Sequence, residues 1–472
     1  MKISIKNLGA VKSAVIDLKP LTIFVGDNNT GKSWTAYLCS AIVGPWGYAQ
    51  IINSLLESDL LSTQYPALDE IVNKILSEGK ADLDMINFFD HNGEKYYNDI
   101  GRSAPKWVSR YFGLNYVSLN KLKIKIDIEE NKEAMRSKIL ATSLDDSISP
   151  GPDGRGLLNF IKEPGNPKII FFTKKGFSEN DIPKKEIKQF VLQGVFFLIG
   201  SAYNPSVNYF PIERAALDNF DISFMLSSEK KLQQFSKNEI KSEKPTNNIF
   251  MPYGFFYDQV SKISKEANYN LRLSQAKHDK FIKKCLILAD ILENQILEGN
   301  VDYSIKEPDP SRKLLYKLNN EKDVVLDLSN SASMVKDLSS IVIHLRYYVE
   351  QEGELFVIDE PEMNLHPLAQ VKIIEFLALL ANSGFNILIT THSPYLVDHL
   401  TNLMKAAKSK KKNEIKEKFF LRNANSFIKQ EKVSVLLFAN GQSENILQKD
   451  GLIKWDTFGN ISKQIEDLYF EI

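Results

Sequence analysis

Residues 26–33, GDNNTGKS, follow the apolar stretch LTIFV, precede a helical pattern, and place two glycines, a lysine and a serine at a spacing that suits phosphate. In such a loop the backbone N–H groups point inward, and the helix N-terminus adds partial positive charge. Lys32 would reach the outer phosphates and Ser33 would bind Mg²⁺. The predicted contacts come from Gly26, Asn28, Asn29, Thr30, Gly31, Lys32 and Ser33. The alternative is an ordinary glycine turn with an exposed lysine.

A second candidate group is a pair of adjacent carboxylates, Asp359 and Glu360, which follows the apolar residues 355–358. In nucleotide-hydrolysing enzymes with a loop of this kind, an acid at the end of a buried strand also holds the Mg²⁺, and Asp359 is placed for that role. Adjacent residues of a regular strand point to opposite faces, so the two carboxylates cannot both face the metal. We therefore expect them to have different roles.

Two further segments flank the acid pair in sequence. Upstream, residues 329–337, SNSASMVKD, form a serine-rich turn that enters an amphipathic helix; downstream, the apolar strand NILITT ends at His392. Each also has a plainer interpretation, because Ser and Asn are good helix N-caps and a strand-end histidine can simply be hydrogen-bonded. A long stretch of chain separates Lys32 from Asp359, so a large module must lie between them.

The elements that must position these residues are strands alternating with helices. ISIKNL, AVIDL and LTIFVG show strand alternation before a helical stretch, and the alternation returns in VVLDL, LFVIDE and NILITT. This order predicts an α/β fold with a mixed, mainly parallel sheet wrapped by helices. We assign residues 1–43 and 321–472 to this core, and residues 44–320 to a large, mostly helical insertion with a Gly/Pro loop at 149–156.

The order of these motifs resembles that of the ABC-type ATPases: a phosphate loop, a large insertion, a serine-rich signature, an acid pair followed by a loop, and a strand-end histidine. Within that group the chain looks like the RecF, SMC and OLD branch, which includes ATPase subunits of bacterial anti-phage defence systems such as Septu and PARIS. The resemblance is carried by KNLGAVKSAVIDLKPLTIFVGDNNTGKS, IDEPEMNLHP and ITTHSPYLV. It covers residues 1–43 and 321–400 and implies a P-loop ABC-type ATPase head.

The resemblance also implies a role for each motif residue, with ATP and Mg²⁺ as the cofactors. Lys32 and Ser33 match the phosphate and Mg²⁺ ligands of the loop, and Asp359 matches the acid on the Mg²⁺ side. Glu360 matches the residue that orients or deprotonates the attacking water. His392 matches the switch histidine that contacts the γ-phosphate.

The serine-rich segment implies that a second chain completes the site. In the family this segment binds the γ-phosphate of a nucleotide held by the other protomer, which implies a homodimer or a higher homo-oligomer. Ser333 is the first choice for the contact and Ser331 is the second. Met334 stands where the family has a glycine after the key serine, a departure that removes the space for close backbone approach.

Residues 207–217, VNYFPIERAAL, occupy the place where such ATPases have a loop that senses Mg²⁺ and couples to the insertion. The usual glutamine is missing, which leaves Glu213 and Arg214 as candidates for the role. An ordinary surface ion pair is the interpretation that we favour for these two residues. For His366, in NLHP, a structural turn and a functional role both stay open.

The composition restricts the remaining choices. With 59 basic and 59 acidic residues the net charge is zero, so a nucleic-acid site would have to be a local patch. The two cysteines, Cys39 and Cys285, are too few for a disulfide framework. The start of the sequence lacks a signal-peptide layout, and the longest apolar run, residues 190–203, is shorter than the ~20 residues that span a membrane. We expect a cytoplasmic protein.

Three longer segments receive structural interpretations. Residues 226–298 have helical patterning that is too irregular for a long coiled coil, so we assign it to core helices. The lysine-rich residues 404–418 could contact the phosphates of DNA or RNA, but glutamates interrupt them and aromatic residues for base stacking are missing, which favours a solvated surface. Residues 433–459 alternate like a hairpin or a small sheet.

The favoured hypothesis is an ATPase that closes as a homodimer on two nucleotides and regulates or activates a separate effector protein, in anti-phage defence. OLD-type nucleases carry a Toprim catalytic domain after the switch histidine. Because no acid cluster of that kind follows His392, we expect a nuclease-like or Toprim-like partner to act on nucleic acid. The alternative is a RecF-like clamp of DNA repair, which would bind DNA itself as an ATP-closed dimer.

Overall fold

The strands and helices of this chain follow the alternation that the sequence predicts. The structure, a computed structural model, describes residues 1–58, 60–114, 119–148, 158–173, 182–204, 206–214, 250–303, 313–319, 324–455 and 467–469. The predicted Gly/Pro loop at 149–156, residues 215–217 and residues 226–249 lie outside the described residues.

Within the described residues, the strands are β1 (Lys2–Leu8), β2 (Val11–Asp17), β3 (Leu21–Gly26), β4 (Lys80–Asp84), β5 (Lys123–Asp127), β6 (Leu144–Ile148), β7 (Leu158–Lys162), β8 (Lys168–Thr173), β9 (Val207–Phe210), β10 (Gly299–Tyr303), β11 (Leu314–Leu318), β12 (Val325–Asp327), β13 (Leu355–Asp359), β14 (Asn386–Thr391), β15 (Val433–Ala439) and β16 (Gln442–Asn445).

The α-helices of the same residues are α1 (Lys32–Val43), α2 (Pro45–Ser58), α3 (Leu61–Gln64), α4 (Pro66–Glu78), α5 (Met85–Tyr111), α6 (Lys132–Ala141), α7 (Lys184–Ser201), α8 (Met251–Glu266), α9 (Tyr269–His278), α10 (Lys280–Leu292), α11 (Ser333–Ile343), α12 (Pro367–Asn382), α13 (Pro394–Ala407) and α14 (Lys412–Ile415). Helices α10 and α11 continue as π-helical turns, Glu293–Leu297 and His344–Tyr348. Short 3-10 turns occur at Glu129–Asn131, Leu328–Asn330, Lys416–Lys418, Ala424–Ser426 and Gln430–Lys432.

The chain divides into two compact units. The first consists of Met1–Lys6, Leu38–Ser109 and Val117–Ser206, and the second of Asn7–Tyr37, Arg110–Tyr116 and Val207–Ile472. All the motif residues selected from the sequence belong to the second unit. The assignment of residues 1–43 and 321–472 to a core and of 44–320 to an insertion stays a prediction.

A large sheet positions the motifs of the second unit. Its strands follow the order β2-β16-β15-β3-β14-β13-β9. Neighbouring strands from β15 to β9 pair in parallel, whereas β15 and β16 pair antiparallel. The predicted α/β fold with a mixed, mainly parallel sheet is confirmed.

The central strands β3, β13 and β14 bring the motifs to one edge of this sheet. Every residue of LTIFVG and of LFVID is buried, as expected for parallel strands whose two faces are both covered. The registers pair Val25 with Thr391 and Asp359 with Thr390. The carboxyl ends of the three strands therefore lie side by side, and the phosphate loop, the acid pair and His392 all follow them.

The hairpin predicted after residue 433 is confirmed, but it belongs to the large sheet and does not form a small sheet of its own. Strand β15 pairs with β3 from Val433 opposite Leu21 to Phe438 opposite Gly26. Its residues are mostly buried, because they extend the parallel core beyond β3. A second sheet of this unit, β10-β11-β12, is antiparallel.

The first unit contains its own strands and helices. Strand β1 pairs antiparallel with β5, and β4-β8-β7-β6 form an antiparallel sheet. Aromatic side chains fill its core, with Phe196 of α7 packed against Tyr65 and Tyr96 at ring distances of 5.3 and 4.9 Å. Among the described residues, no helix is both long and apolar enough to span a membrane.

Candidate active site

The phosphate loop lies between β3 and α1, and its shape depends on two glycines. Gly26 has a φ of 137°, and a Cβ there would collide with the carbonyl oxygen of Phe438 in β15. Gly31 has a φ of 93°, and a Cβ there would collide with the side chain of Val11 in β2. Only glycine, which has no Cβ, adopts these φ values easily and also leaves room for atoms of the neighbouring strands to come this close. The neighbouring strands thus explain why glycine stands at both positions.

Polar contacts hold the rest of the loop. Asn29 has a φ of 62°, a left-handed conformation that Asn tolerates better than most residues. The hydroxyl of Thr30 donates to the carbonyl oxygen of Asp27 at 2.8 Å. The hydroxyl of Thr35 donates to the carbonyl oxygen of Gly31 at 2.8 Å. The loop is therefore fixed at the N-terminus of a 12-residue helix, a position that favours an anion.

Lys32 turns back over the loop. The side chain is 5% exposed, and Nζ donates to the carbonyl oxygens of Gly26 at 3.0 Å and Asp27 at 2.8 Å. Burial lowers the pKa of Lys32, while the negative charges of Glu360 and Asp359 oppose that change. The ammonium group is thus held close to both the loop and the acid pair.

Asp359, the last residue of β13, joins the strand end to the phosphate loop. Its Oδ1 accepts hydrogen bonds from Ser33 Oγ at 2.9 Å and from Thr390 Oγ1, and its Oδ2 accepts one from the Tyr37 hydroxyl at 3.3 Å. Burial raises the pKa of Asp359, and the bonds from Thr390 and Ser33 oppose the rise. Two segments that are distant in sequence therefore meet at this carboxylate.

Ser33 and Asp359 are the residues predicted to hold Mg²⁺, and their arrangement fits that ion. Their side-chain oxygens lie 2.9 Å apart, and Mg²⁺ prefers oxygen ligands, commonly one or two carboxylates together with substrate phosphates. A buried carboxylate whose pKa is raised is also a group that a cation would stabilise. When bound, Mg²⁺ would supply positive charge to the phosphate oxygens.

Glu360 lies just beyond the strand in a left-handed conformation, with a φ of 46°. For a residue other than glycine this conformation costs on the order of 1–2 kcal/mol, and it persists where surrounding contacts determine it. The Glu360 N–H donates to the carbonyl oxygen of Thr390 at 3.1 Å, and its carbonyl oxygen accepts from the Met363 N–H at 3.1 Å. Asp359 and Glu360 do contact different partners, but the reason is this turn and not the alternation of a regular strand.

His392 faces the carboxylate of Glu360. Nε2 of the histidine lies 3.5 Å from Oε1, and the two side chains are 30% and 28% exposed. The bond from His392 lowers the pKa of Glu360, and the charge of Lys32 adds to this effect. The pKa values of Asp359 and Glu360 are thus shifted in opposite directions, a pattern that suits two carboxylates with different roles.

Glu362 connects the loop after the acid pair to the strand end at His392. Its Oε1 accepts hydrogen bonds from the backbone N–H of His392 and from the hydroxyl of Thr391, both at 2.7 Å. Burial raises the pKa of Glu362. Reasoning from the sequence did not select this residue, although a third acid two positions after Glu360 was a signal that could have identified it.

The two predicted signature residues lie at the start of α11. Ser331 is buried, and its hydroxyl donates to the carbonyl oxygen of Leu328 at 2.6 Å, whereas Ser333 is exposed. The N-cap of α11 is Ala332, which makes no side-chain capping bond, so the interpretation of the serines as a helix cap is wrong. Within the described residues, no hydrogen bond joins either serine to the phosphate loop or the acid pair.

Arg214 is the residue that the sequence interpretation misjudged most. The favoured surface ion pair is wrong for it, because its side chain is 0% exposed. Nη1 donates to the carbonyl oxygen of Asp359 at 2.7 Å, and Nη2 donates to that of Glu360 at 2.9 Å. An adjacent Glu and Arg usually indicate a surface, since charged side chains are rarely buried without partners. Main-chain carbonyl groups are the partners here.

His366 takes the structural role that the sequence left open. It is the N-cap of α12, and its Nδ1 accepts a hydrogen bond from the Leu368 N–H at 3.3 Å. The lysine-rich residues 404–418 form the end of α13, helix α14 and the turn after it. Exposed ion pairs occur there, including Lys411 with Glu414 at 3.4 Å.

No curated protein matches the sequence, whereas two Smc head domains are among the solved structures with similarity to this chain. A crystal structure of the SmcHead bound to the C-winged helix domain of ScpA has a TM-score of 0.34 and 9% identity, covering 94% of this chain and 96% of that chain. An Smc head domain with an extended coiled coil bound to the C-terminal domain of ScpA, derived from Pyrococcus furiosus, has a TM-score of 0.34 and 10% identity, covering 99% and 98%.

A family sequence model matches residues 148–398, which include Arg214, the serine-rich segment, the acid pair and His392. The match extends over more than half of the 472 residues. It confirms the recognition of the chain as an AAA family ATPase. The chain therefore belongs to the family described as AAA domain, putative AbiEii toxin, Type IV TA system.

Proposed function

We propose that the chain binds Mg²⁺-ATP at the phosphate loop and hydrolyses it to ADP and phosphate. The observation that supports this most strongly is the meeting of Ser33, Asp359, Glu360 and His392 at one edge of the sheet. Phosphoryl transfer needs positioned charge more than covalent chemistry. A lysine, a metal-binding carboxylate and a water-orienting carboxylate supply that charge.

Each residue has a separate task in this reaction. Lys32 neutralises the outer phosphates, and Ser33 and Asp359 would hold Mg²⁺. Glu360 accepts a hydrogen bond from the attacking water and orients it toward the γ-phosphorus. The water oxygen bonds to that phosphorus as the bond to the oxygen bridging to the β-phosphate breaks, so ADP leaves with the bridging oxygen. One water proton passes to Glu360 and from there to the released phosphate or to solvent. The lowered pKa of Glu360 keeps it ionised for this role. His392 contacts a γ-phosphate oxygen.

We also propose that two copies close on two nucleotides. Ser333 supports this part, because it is exposed at the first turn of α11. A hydroxyl in that position can donate a hydrogen bond to the γ-phosphate of a nucleotide held by a second copy of the chain. Closure of the homodimer would then regulate a separate effector protein, and the family description, which names a putative toxin and a toxin–antitoxin system, supports a role in defence.

Phosphate release by the purified chain tests the proposal. We expect release with Mg²⁺-ATP, abolition by EDTA, and a strong decrease in Glu360→Gln. Light scattering of Glu360→Gln should show an ATP-dependent dimer. A parental chain that releases no phosphate, or a Glu360→Gln variant that hydrolyses ATP at the parental rate, would contradict the catalytic assignment.

A DNA clamp is the second candidate, and the exposed lysines of residues 404–418 support it. Binding to duplex DNA should then require ATP and weaken steeply as salt rises, because phosphate contacts release counterions. A fluorescence anisotropy titration at low salt, with and without ATP, separates the candidates. Absence of binding under these conditions contradicts the clamp and leaves the effector hypothesis.

A further inference from the structure

All the hydrogen bonds that the Arg214 guanidinium makes within the described residues go to main-chain carbonyl oxygens. Nη1 donates to Pro211 at 3.2 Å and to Asp359 at 2.7 Å, Nη2 donates to Glu360 at 2.9 Å, and Nε donates to Asp337 at 3.2 Å. Burial lowers the pKa of Arg214, and the nearby charges of Asp337 and Asp359 oppose that change. One buried cation thus joins the ends of β9 and β13 to helix α11.

The strand pairing explains why a side chain must supply these donors. The last pair between β9 and β13 is Phe210 with Ile358, and Pro211 follows. Proline has no N–H, so the backbone of β9 cannot continue the ladder toward Asp359. Buried carbonyl groups need partners, and Arg214 provides them three residues after the proline.

The contact with Glu360 bears most directly on the chemistry. The left-handed conformation of Glu360 aims its carboxylate at His392, with Oε1 3.5 Å from Nε2. A rotation of this peptide unit would move the carboxylate away from that position. The planar fork of an arginine can define several hydrogen-bond directions at once, whereas a lysine ammonium is a point charge.

The same guanidinium also restrains α11. Its Nε bonds the carbonyl oxygen of Asp337, and the Asp337 carboxylate accepts a bond from Asn364 Nδ2 at 2.9 Å, in the loop after the acid pair. Helix α11 begins at Ser333. The start of this helix and the backbone of the acid pair are therefore held by one side chain.

We propose that Arg214 is a positioning residue for ATP hydrolysis: it holds Glu360 in its left-handed conformation and fixes α11 against the end of β13. The inference rests on the proposed function. Loss of the fork should impair turnover and leave nucleotide binding nearly intact, because Lys32 and Ser33 bind phosphate from a different segment.

Arg272 offers a matched control. It lies in α9, is 5% exposed, and donates to the carbonyl oxygens of Arg346 at 3.0 Å and of Val349. It is thus a second buried arginine that binds main-chain carbonyl groups, at the π-helical turn after α11. Its removal should cost stability without touching the acid pair.

The experiment compares Arg214→Met with Arg272→Met in the full chain. Steady-state phosphate release gives kcat, equilibrium binding of a fluorescent ATP analogue gives Kd, and thermal unfolding gives Tm. Since small misplacements of catalytic groups can cost about 100-fold in rate, we expect Arg214→Met to lower kcat by about 10- to 100-fold. Its Kd should stay within about threefold of the parental value, and Arg272→Met should keep kcat while its Tm falls.

Three results would overturn the inference. The first is a folded Arg214→Met variant with the same kcat as Arg272→Met, and the second is a parallel loss of kcat and nucleotide affinity. If Arg214→Met does not fold, Arg214→Lys and Arg272→Lys are compared by the same measurements. The third contradicting result is that Arg214→Lys fails to fold while Arg272→Lys folds, because this would indicate a purely structural role for Arg214. A parental chain without ATPase activity overturns the proposed function and this inference with it, whereas an active parent with an unaffected Arg214→Met overturns the inference alone.

Discussion

In the phosphate loop, Lys32 and Ser33 already contact other parts of the site, through the carbonyl oxygens of Gly26 and Asp27 and the carboxylate of Asp359. In the serine-rich segment, by contrast, Ser333 is exposed at the first turn of α11. One half of the predicted site is thus assembled within the chain, while the other half faces outward. We therefore expect nucleotide binding to depend little on a second copy of the chain and hydrolysis to depend on it more strongly.

The largest effect is expected from Glu360→Gln, which removes the charge that orients the water and preserves the shape of the side chain. General acid–base groups typically contribute about 10²- to 10⁴-fold to rate, so kcat should fall by that order while ATP still binds. Phosphate release and nucleotide binding measure the two quantities. Glu352→Gln, at an exposed residue that pairs with Lys284, is the control and should retain full activity.

A smaller effect is expected from Lys32→Ala, which should raise the Kd for ATP even when no second copy of the chain is bound. Hydrogen bonds to charged groups contribute roughly 1.5–3 kcal/mol, which corresponds to an increase in Kd of about 10- to 100-fold. Titration with a fluorescent ATP analogue gives the value. Unchanged affinity would show that the loop binds nucleotide without this lysine, or that it is not the nucleotide site.

Ser333→Ala should leave ATP binding unchanged and lower hydrolysis by about tenfold, since it removes one hydrogen bond to a charged phosphate. Ser331→Ala should have less effect, because that hydroxyl bonds a carbonyl group of its own turn. Measurement of kcat for both variants distinguishes the two serines. A larger effect of Ser331→Ala would reverse our order of preference.

Mixing two impaired chains tests whether the two halves of one site come from different copies. A Lys32→Ala chain retains the serine-rich segment, and a Ser333→Arg chain retains the phosphate loop. If a second copy completes the site, the mixture should hydrolyse ATP faster than either chain alone. Simple addition of the two separate rates would indicate that each chain works by itself.

His392→Ala removes a contact to the γ-phosphate and should lower kcat by about tenfold, as Ser333→Ala does. Its further effect is a small shift of the pH profile. The bond from His392 holds the pKa of Glu360 below its ordinary value, so its loss should raise that pKa and move the acid limb of the kcat profile to higher pH. The part of the folding stability that comes from this lowered pKa is present above the unfolded-state pKa of the carboxylate and is lost as the pH falls through the folded-state value. Profiles of kcat against pH for the parent and the variant check the shift. His91→Ala, at an exposed histidine of α5, is the control and should keep the parental profile.

Sequence patterns predicted the large sheet well because buried parallel strands are encoded as short apolar runs, such as LTIFVG and LFVID. The same patterns did not predict that residues 433–439 would extend this sheet beside β3. A run of that kind is compatible with several sheets, and pairing with a distant strand depends on the edge that the folded core offers. The close approach of Phe438 to Gly26 follows from that pairing.

The candidate site residues could be selected from the sequence alone, because the phosphate loop at 26–33, the acid pair and His392 are recognisable in short contiguous segments. How these residues are held depends on contacts between segments that are distant in sequence. Arg214 and Asp359 are 145 residues apart, and the burial of an arginine cannot be deduced from a charged dipeptide. The left-handed turn at Glu360 likewise depends on distant partners: the carbonyl oxygen of Thr390, which accepts from the Glu360 N–H, and the guanidinium of Arg214, which donates to the Glu360 carbonyl oxygen. Local patterns specify side-chain chemistry, but direction and burial arise from contacts that form only when the chain folds.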